Sequence, residues 1–163
     1  MTLHTSDGCS LPQDGNNFVK DSTMGNTLCA SSGDNNQGCA FIDNSQQSYG
    51  RGFNEVGGGV IAQLRDDTGV SMWRFPRGNI PDDIANKVPN PSTWGTPVSF
   101  FPYSTCPENH FVDMNIIADI TFCGDWAGND LGDCSYQSCA AHAADPSNFG
   151  EPSWVDNIQV NAY

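Results

Sequence analysis

A hairpin pattern in the middle of the chain constrains the fold most. Residues 60–64 are a short apolar run, residues 65–69 read Arg-Asp-Asp-Thr-Gly, and residues 70–75 are a second apolar run. A polar turn of this kind between two such runs is typical of antiparallel strands joined by a tight turn. Because successive side chains in a strand point to opposite faces, Trp73 and Phe75 share one face and Arg74 lies on the other.

The rest of the chain predicts further short strands and little helix. The long polar stretch from residue 6 to 59 is rich in Gly, Asn and Ser, and it predicts an irregular binding loop or disorder. An Ala-rich helix is expected within residues 134–145, ending at Pro146, and a helical turn within 82–87. The fold class is therefore an all-β antiparallel sandwich or barrel with one short helix. Further strands are predicted at residues 1–5, 98–101, 114–122 and 154–163.

Composition limits the partners of this chain. Its 163 residues suit one domain over residues 1–163, and the net charge is −13 with a pI near 4.1. Such a surface repels nucleic-acid phosphates and anionic lipid, so neither nucleic acid nor membrane is an expected partner. The sequence contains no run of 18 apolar residues, which argues against a membrane-spanning helix.

Seven cysteines point to disulfides and an oxidising, extracellular environment. No Cys-x-x-Cys pair occurs, so a zinc site is a weak interpretation and no metal site is predicted. The connectivity stays open at this point, and an odd count leaves at least one thiol without an intramolecular partner. The chain also begins without a signal peptide. We therefore expect that a missing N-terminal half carries both the export signal and the lost cysteine partner.

Three segments resemble one known family. They are Phe-Cys-Gly-Asp-Trp-Ala-Gly at residues 122–128, Met-Trp-Arg-Phe-Pro-Arg-Gly-Asn-Ile-Pro at 72–81, and Met-Thr-Leu-His-Thr-Ser-Asp-Gly-Cys at 1–9. Together they resemble the C-terminal half of a glycoside hydrolase family 16 β-glucanase of the fungal laminarinase type. The resemblance implies a jelly roll whose N-terminal strands are missing, with a cleft across the concave sheet. It also implies a β-glucan polysaccharide or oligosaccharide as partner, no cofactor, and a monomer in the full-length form.

The residues for catalysis are expected to lie outside this chain. Retaining hydrolysis of a glycoside uses two carboxyl groups about 5–5.5 Å apart. The family resemblance implies a Glu-x-Asp-x-x-Glu strand immediately upstream of residue 1. The three glutamates present, Glu55, Glu108 and Glu151, have no second acid at that spacing. No catalytic residue is therefore assigned, and the chain is expected to be inactive alone.

Three residues are candidates for substrate binding. The resemblance places His4 in the cleft, although a lone strand histidine is often structural. Trp126 could stack on the apolar face of a sugar at the acceptor side of the cleft, or it could anchor its loop in a core. Asp125 could bind a sugar hydroxyl or hydrogen-bond its own turn.

The expected function is hydrolysis of O-glycosyl bonds in β-1,3/1,4-glucans by double displacement in the parent protein. This chain would supply the acceptor side of the cleft. Two alternatives remain open: a non-catalytic β-glucan-binding protein and a truncated product with no function of its own.

Overall fold

The computed structural model describes residues 1–32, 36–117, 123–125, 128–129 and 138–148. The chain divides into two compact units, Met1–Met114 and Asn115–Tyr163, and each is described by itself. The prediction of one domain over residues 1–163 stays a prediction. Within the described ranges, no helix is long and apolar enough to cross a membrane.

The first unit contains two three-stranded antiparallel sheets. The first sheet has the order β1-β3-β2 and the second the order β4-β5-β6. The strands are β1 (Thr2–Leu3), β2 (Ser22–Met24), β3 (Cys39–Asp43), β4 (Gly59–Arg65), β5 (Gly69–Pro76) and β6 (Ser99–Pro102). The α-helices among the described residues are α1 (Gly50–Glu55), α2 (Asp82–Ala85) and, in the second unit, α3 (Cys139–Ala143).

The predicted hairpin is the β4–β5 pair. Its register places Ala62 opposite Trp73 and Arg65 opposite Val70, as the alternating pattern requires. Asp66 stabilises the turn because its carboxylate accepts hydrogen bonds from the Thr68 hydroxyl at 2.6 Å and the Thr68 N–H at 2.8 Å. The turn chemistry of this segment is local, so the sequence is sufficient to identify it.

The two sheets share one core. Phe41 of β3 contacts Phe101 of β6 with ring centroids 5.6 Å apart, and Val70 of β5 belongs to the same buried cluster. Beside these rings, Arg74 of β5 donates to Asp43 of β3 at 2.6 and 3.3 Å. These two side chains are only 8% and 7% exposed, so the ion pair joins the inner faces of both sheets away from water.

The outer face of the second sheet carries an aromatic cluster. The ring of Trp94 lies 5.3 Å from Trp73 and 5.6 Å from Phe75, edge to face in both cases. The indole N–H of Trp73 donates to the Gly95 carbonyl, and that of Trp94 donates to the Asp83 carboxylate. The segment that follows β5 therefore covers this face of the sheet. Trp73 is buried, as expected of a core residue.

Three disulfides are present among the described residues, and one of them joins distant parts of the sequence. The described residues contain the pairs Cys9–Cys106, Cys29–Cys39 and Cys123–Cys139. The first two lie in the first unit and the third in the second unit. The prediction of disulfides is confirmed, and the seventh cysteine, Cys134, lies outside the described residues.

Several sequence-based predictions need correction. The polar stretch up to residue 59 contains β2, β3 and α1, none of which was predicted. Residues 114–117 have no strand structure and their apolar side chains are exposed, although a strand was predicted there. The remainder of that prediction (residues 118–122), and the strand predicted at residues 154–163, lie outside the described residues. The helix near residue 140 and the turn near residue 83 are present as α3 and α2.

Candidate functional site

His4 projects from the outer face of the first sheet. In β1, Thr2 is exposed and Leu3 is half-buried against the core, and His4, the next residue, is exposed again. Thr2 pairs with Ala40, so the outer-facing residues of β3 lie beside it. Ile42 on the same face of β3 is 57% exposed. Continuing the alternation of β1 by one residue thus places the His4 side chain away from the core, beside Gly38.

The His4 ring is held along one edge. Its Nδ1 atom lies 2.8 Å from the Ser31 hydroxyl, within hydrogen-bond distance. The same edge lies against Gly38, which is buried and has φ +66°. A Cβ atom on Gly38 would lie 2.9 Å from Nδ1 and 3.0 Å from Cε1 of His4, so only glycine fits there. Within the described residues, Nε2 of His4 makes no hydrogen bond to the protein.

Both residues that contact His4 belong to one disulfide-closed loop. Ser31 lies two positions after Cys29, and Gly38 directly precedes Cys39, its disulfide partner. Backbone hydrogen bonds place this loop beside β1, because Thr5 donates to Cys29 and Ser31 donates to Thr5, both at 2.9 Å. Sequence reasoning missed Ser31 and Gly38. The signal that could have found them is the pair of cysteines flanking them.

Three carboxylates of the described residues pair with arginines rather than with another acid. Glu55 pairs with Arg51 on α1, and Glu108 pairs with Arg65, in both cases on the surface. Asp43 is engaged by Arg74 in the core. The third glutamate, Glu151, lies outside the described residues. Within the described part of the chain, no group of three His, Cys, Asp or Glu side chains could hold a metal ion.

Asp125 lies in a turn of the second unit. The turn begins after Cys123, which is bonded to Cys139 at the start of α3. Cys123 and Gly124 have φ of +63° and +99°, so the backbone reverses sharply at this point. The backbone carbonyl of Asp125 accepts a hydrogen bond from Asn129 at 2.6 Å, and the residue is exposed. The backbone carbonyl of Asp125 therefore helps to stabilise the turn.

The three predicted binding residues occupy different parts of the chain. His4 belongs to the first unit and Asp125 to the second, while Trp126 lies outside the described residues. Their roles in binding therefore stay predictions. The first unit also has two cavities, of about 350 and 200 Å³, and Asp21 and Arg74 line both. Neither His4 nor Asp125 lines either cavity.

The chain belongs to glycoside hydrolase family 16. Within that family, the model of the XgeA-like catalytic GH16 domain matches residues 1–161. The predicted fold class, an all-β antiparallel sandwich of jelly-roll type, is confirmed by the two sheets described above together with the structural neighbours below.

Relatives in fungi show how much of a longer protein the chain covers. A probable glycosidase of Schizosaccharomyces pombe is 35% identical over all of this chain and 40% of its own length. An endo-1,3(4)-β-glucanase of Arthroderma benhamiae is 37% identical over 95% of this chain and 36% of its own length. The chain thus spans well under half of these curated relatives.

A solved structure matches closely. Laminarinase 16A from Phanerochaete chrysosporium, with 6-O-glucosyl-laminaritriose in both donor and acceptor sites, is 36% identical with a TM-score of 0.76. The alignment covers 92% of this chain and 52% of that one.

Proposed function

We propose that this chain is the acceptor side of the substrate cleft in an enzyme that hydrolyses O-glycosyl bonds of β-1,3/1,4-glucans. The observation that carries the proposal is the match of residues 1–161 to a catalytic domain of family 16. The β-glucans in both the donor and the acceptor sites of the laminarinase support a glucan as the partner. The proposal covers residues 1–163 as one portion of a single domain.

The proposed chemistry is double displacement with retention. One carboxylate attacks the anomeric carbon while a second carboxylic acid protonates the leaving oxygen, and water then hydrolyses the glycosyl-enzyme under general-base catalysis. We propose that both carboxyl groups come from outside residues 1–163. In support, Glu55 and Glu108 are surface residues paired with arginines rather than with another acid.

The proposed role of this chain is to bind the glucan that leaves or enters at the acceptor side. His4 would hydrogen-bond a hydroxyl from the outer face of β1. Trp126 would stack on the apolar face of a sugar ring, and Asp125 would accept a hydroxyl hydrogen. The exposure of His4 and Asp125 is compatible with these roles.

Binding without hydrolysis is the first test. We expect the chain to bind laminari-oligosaccharides in calorimetric titration but to release no reducing sugar from laminarin above a boiled control. Trp126→Ala should weaken binding by about 1–3 kcal/mol, because an indole that covers a sugar buries a large apolar area. Tyr49→Ala is the matched control, since Tyr49 is also aromatic and is 83% exposed on the first unit.

The second test restores the missing chemistry. A fusion to an upstream segment with the expected Glu-x-Asp-x-x-Glu strand should hydrolyse laminarin with retained anomeric configuration. Hydrolysis by residues 1–163 alone would place a carboxylate pair inside this chain and contradict the proposal. Binding by the chain with an inactive fusion would favour the alternative of a non-catalytic glucan-binding protein. Absence of both binding and activity would favour a product with no function of its own.

We further propose an extracellular location and a monomeric full-length protein. The disulfides of the described residues support the location, because such bonds persist in oxidising compartments. Secretion of the folded protein with these pairs intact, shown by mass mapping of the culture medium, is the corresponding test. Light scattering of the longer protein would test the monomer.

A further inference from the structure

We propose that Ser31 is a positioning residue that orients the His4 ring and keeps its hydrogen on Nε2, the nitrogen that would meet a glucan hydroxyl. The glucan part of this inference rests on the proposed function. The part that concerns the ring rests only on contacts within the first unit.

The protein contacts the Nδ1 edge of the ring, and the proposal assigns the Nε2 edge to a ligand. Ser31 and Gly38 both contact the side of the ring that carries Nδ1. His4 as a whole is exposed. A neutral imidazole has one donor nitrogen and one acceptor nitrogen, and the hydrogen bond at one nitrogen determines the state of the other.

A serine hydroxyl can donate to a ring nitrogen or accept from it, and the proposed direction is donation by Ser31. The single hydrogen of the Ser31 hydroxyl would then lie toward Nδ1, which is 2.8 Å from the hydroxyl oxygen. When the hydroxyl donates to Nδ1, the ring hydrogen resides on Nε2. The exposed His4 ring then has a donor at Nε2, and a sugar hydroxyl oxygen can accept its hydrogen.

Hydrogen bonds and a disulfide hold the two residues that contact the ring. Ser31 is fixed by its backbone hydrogen bond to Thr5, the residue after His4, and by the nearby Cys29–Cys39 disulfide. Gly38 is fixed by the same disulfide and by Asn26, whose side-chain amide donates to the Gly38 carbonyl at 2.7 Å. The Nδ1 edge of the ring therefore contacts two residues that lie close in sequence to the Cys29–Cys39 disulfide.

Nitrogen NMR of the imidazole rings tests the inference directly. At a pH well above the ordinary histidine pKa of about 6.5, the ratio of the Nε2–H to the Nδ1–H form is measured in the full chain. Ser31→Ala should lower this ratio for His4 by about 2- to 10-fold, the factor that corresponds to one net hydrogen bond. Ser31→Thr keeps a hydroxyl and should restore the ratio.

The chain supplies its own control. His110 makes a similar contact, with Nδ1 lying 3.1 Å from the Ser6 hydroxyl. Ser31→Ala should leave the His110 ratio unchanged, and Ser6→Ala should change His110 without changing His4. A His4→Gln variant assigns the signals. If Ser31→Ala shifts all rings together, the effect is a general loss of structure and the inference is overturned.

Oligosaccharide titration separates this inference from the proposed function. We expect Ser31→Ala to bind laminari-oligosaccharides more weakly than the original chain and Ser31→Thr to regain the affinity. An unchanged tautomer ratio in Ser31→Ala overturns the inference, whether or not glucan binds. A changed ratio with unchanged affinity overturns the assignment of Nε2 to the ligand. A changed ratio in a chain that binds no glucan supports the positioning of the ring and contradicts the proposed function.

Discussion

The two faces of the β4–β5–β6 sheet are stabilised by different means. The inner face packs Val70 and Phe101 into the shared core and places Arg74 against Asp43 of the other sheet. The outer face packs Trp73 and Phe75 against Trp94 from the segment that follows β5. The first face depends on a contact between sheets, whereas the second depends on a segment close in sequence.

The polar groups on the two faces of the sheet also find their partners in different ways. On the inner face a charged pair is removed from water, so each charge depends on the other. On the outer face the indole N–H groups donate to an oxygen of the covering segment. Loss of one partner should therefore be more damaging on the inner face.

The largest expected effect is the loss of one member of the ion pair. Asp43→Ala leaves Arg74 charged and buried, which should lower the free energy of unfolding by about 3–5 kcal/mol. Urea denaturation of the variant measures the loss. The double variant Asp43→Leu/Arg74→Met is the control, because replacing both charges by apolar side chains should recover most of the stability. A double variant as unstable as the single one would contradict this account.

A smaller loss is expected on the outer face. Trp94→Ala removes the ring that covers Trp73 and Phe75 and should cost about 2–3 kcal/mol, because Trp94 is only half-buried. Trp94→Phe keeps an aromatic ring and should cost less. The intrinsic fluorescence of Trp73 should shift to longer wavelength in Trp94→Ala. A variant as unstable as Asp43→Ala would remove the distinction between the two faces.

The turn of the hairpin belongs to neither face and should show a weaker, pH-dependent effect. The Thr68 hydroxyl is the main cause that lowers the pKa of Asp66 below its ordinary value of 3.8. A lowered pKa in the folded state stabilises the protein above the unfolded pKa, and this contribution is lost as the pH falls through the lower, folded value. Thr68→Val should raise the pKa of Asp66 toward 3.8 and thus move the onset of acid unfolding upward. Carbon NMR of the Asp66 carboxyl group measures its pKa. An unchanged pKa in Thr68→Val would contradict the Thr68 hydroxyl as the main cause of the lowering.

The smallest effect is expected for an exposed ion pair of similar chemistry. Arg51 and Glu55 lie four positions apart on α1, with side chains 92% and 59% exposed. Because water screens both charges, Glu55→Gln should change the free energy of unfolding by about 0.5 kcal/mol or less. Urea denaturation measures this change, as it does for Asp43→Ala. A loss comparable to that of Asp43→Ala would mean that burial is not what distinguishes the two pairs.

The sequence is most informative where structure is local. The β4–β5 hairpin was predicted with the correct face for Arg74, because the turn residues and the alternation lie within one short segment. The strands β2 and β3 were missed, since β3 pairs with β1 across more than thirty residues of polar sequence. Residues 114–117 show the converse. Their apolar alternation predicts a strand, yet they have no strand structure, because strand formation depends on tertiary context as well as on the local pattern.

The candidate site was predictable only in part. The family resemblance identifies His4, and the alternation of β1 is sufficient to place its side chain opposite Leu3. The contacts of His4 with Ser31 and Gly38 depend on a disulfide whose pairing the cysteine spacing left open. The roles of Asp125 and Trp126 remain predictions.

The Cys9–Cys106 disulfide has a consequence for proteolysis. It joins residues 97 positions apart, near the two ends of the first unit. A protease that cuts an exposed loop between them, such as the one around Tyr49, leaves two pieces that remain covalently attached. The nicked protein would run as one band without reductant and as two bands with it. Because the disulfide joins the two pieces, they cannot diffuse apart after a single cut. The cleaved first unit can therefore keep the strands of its sheets paired.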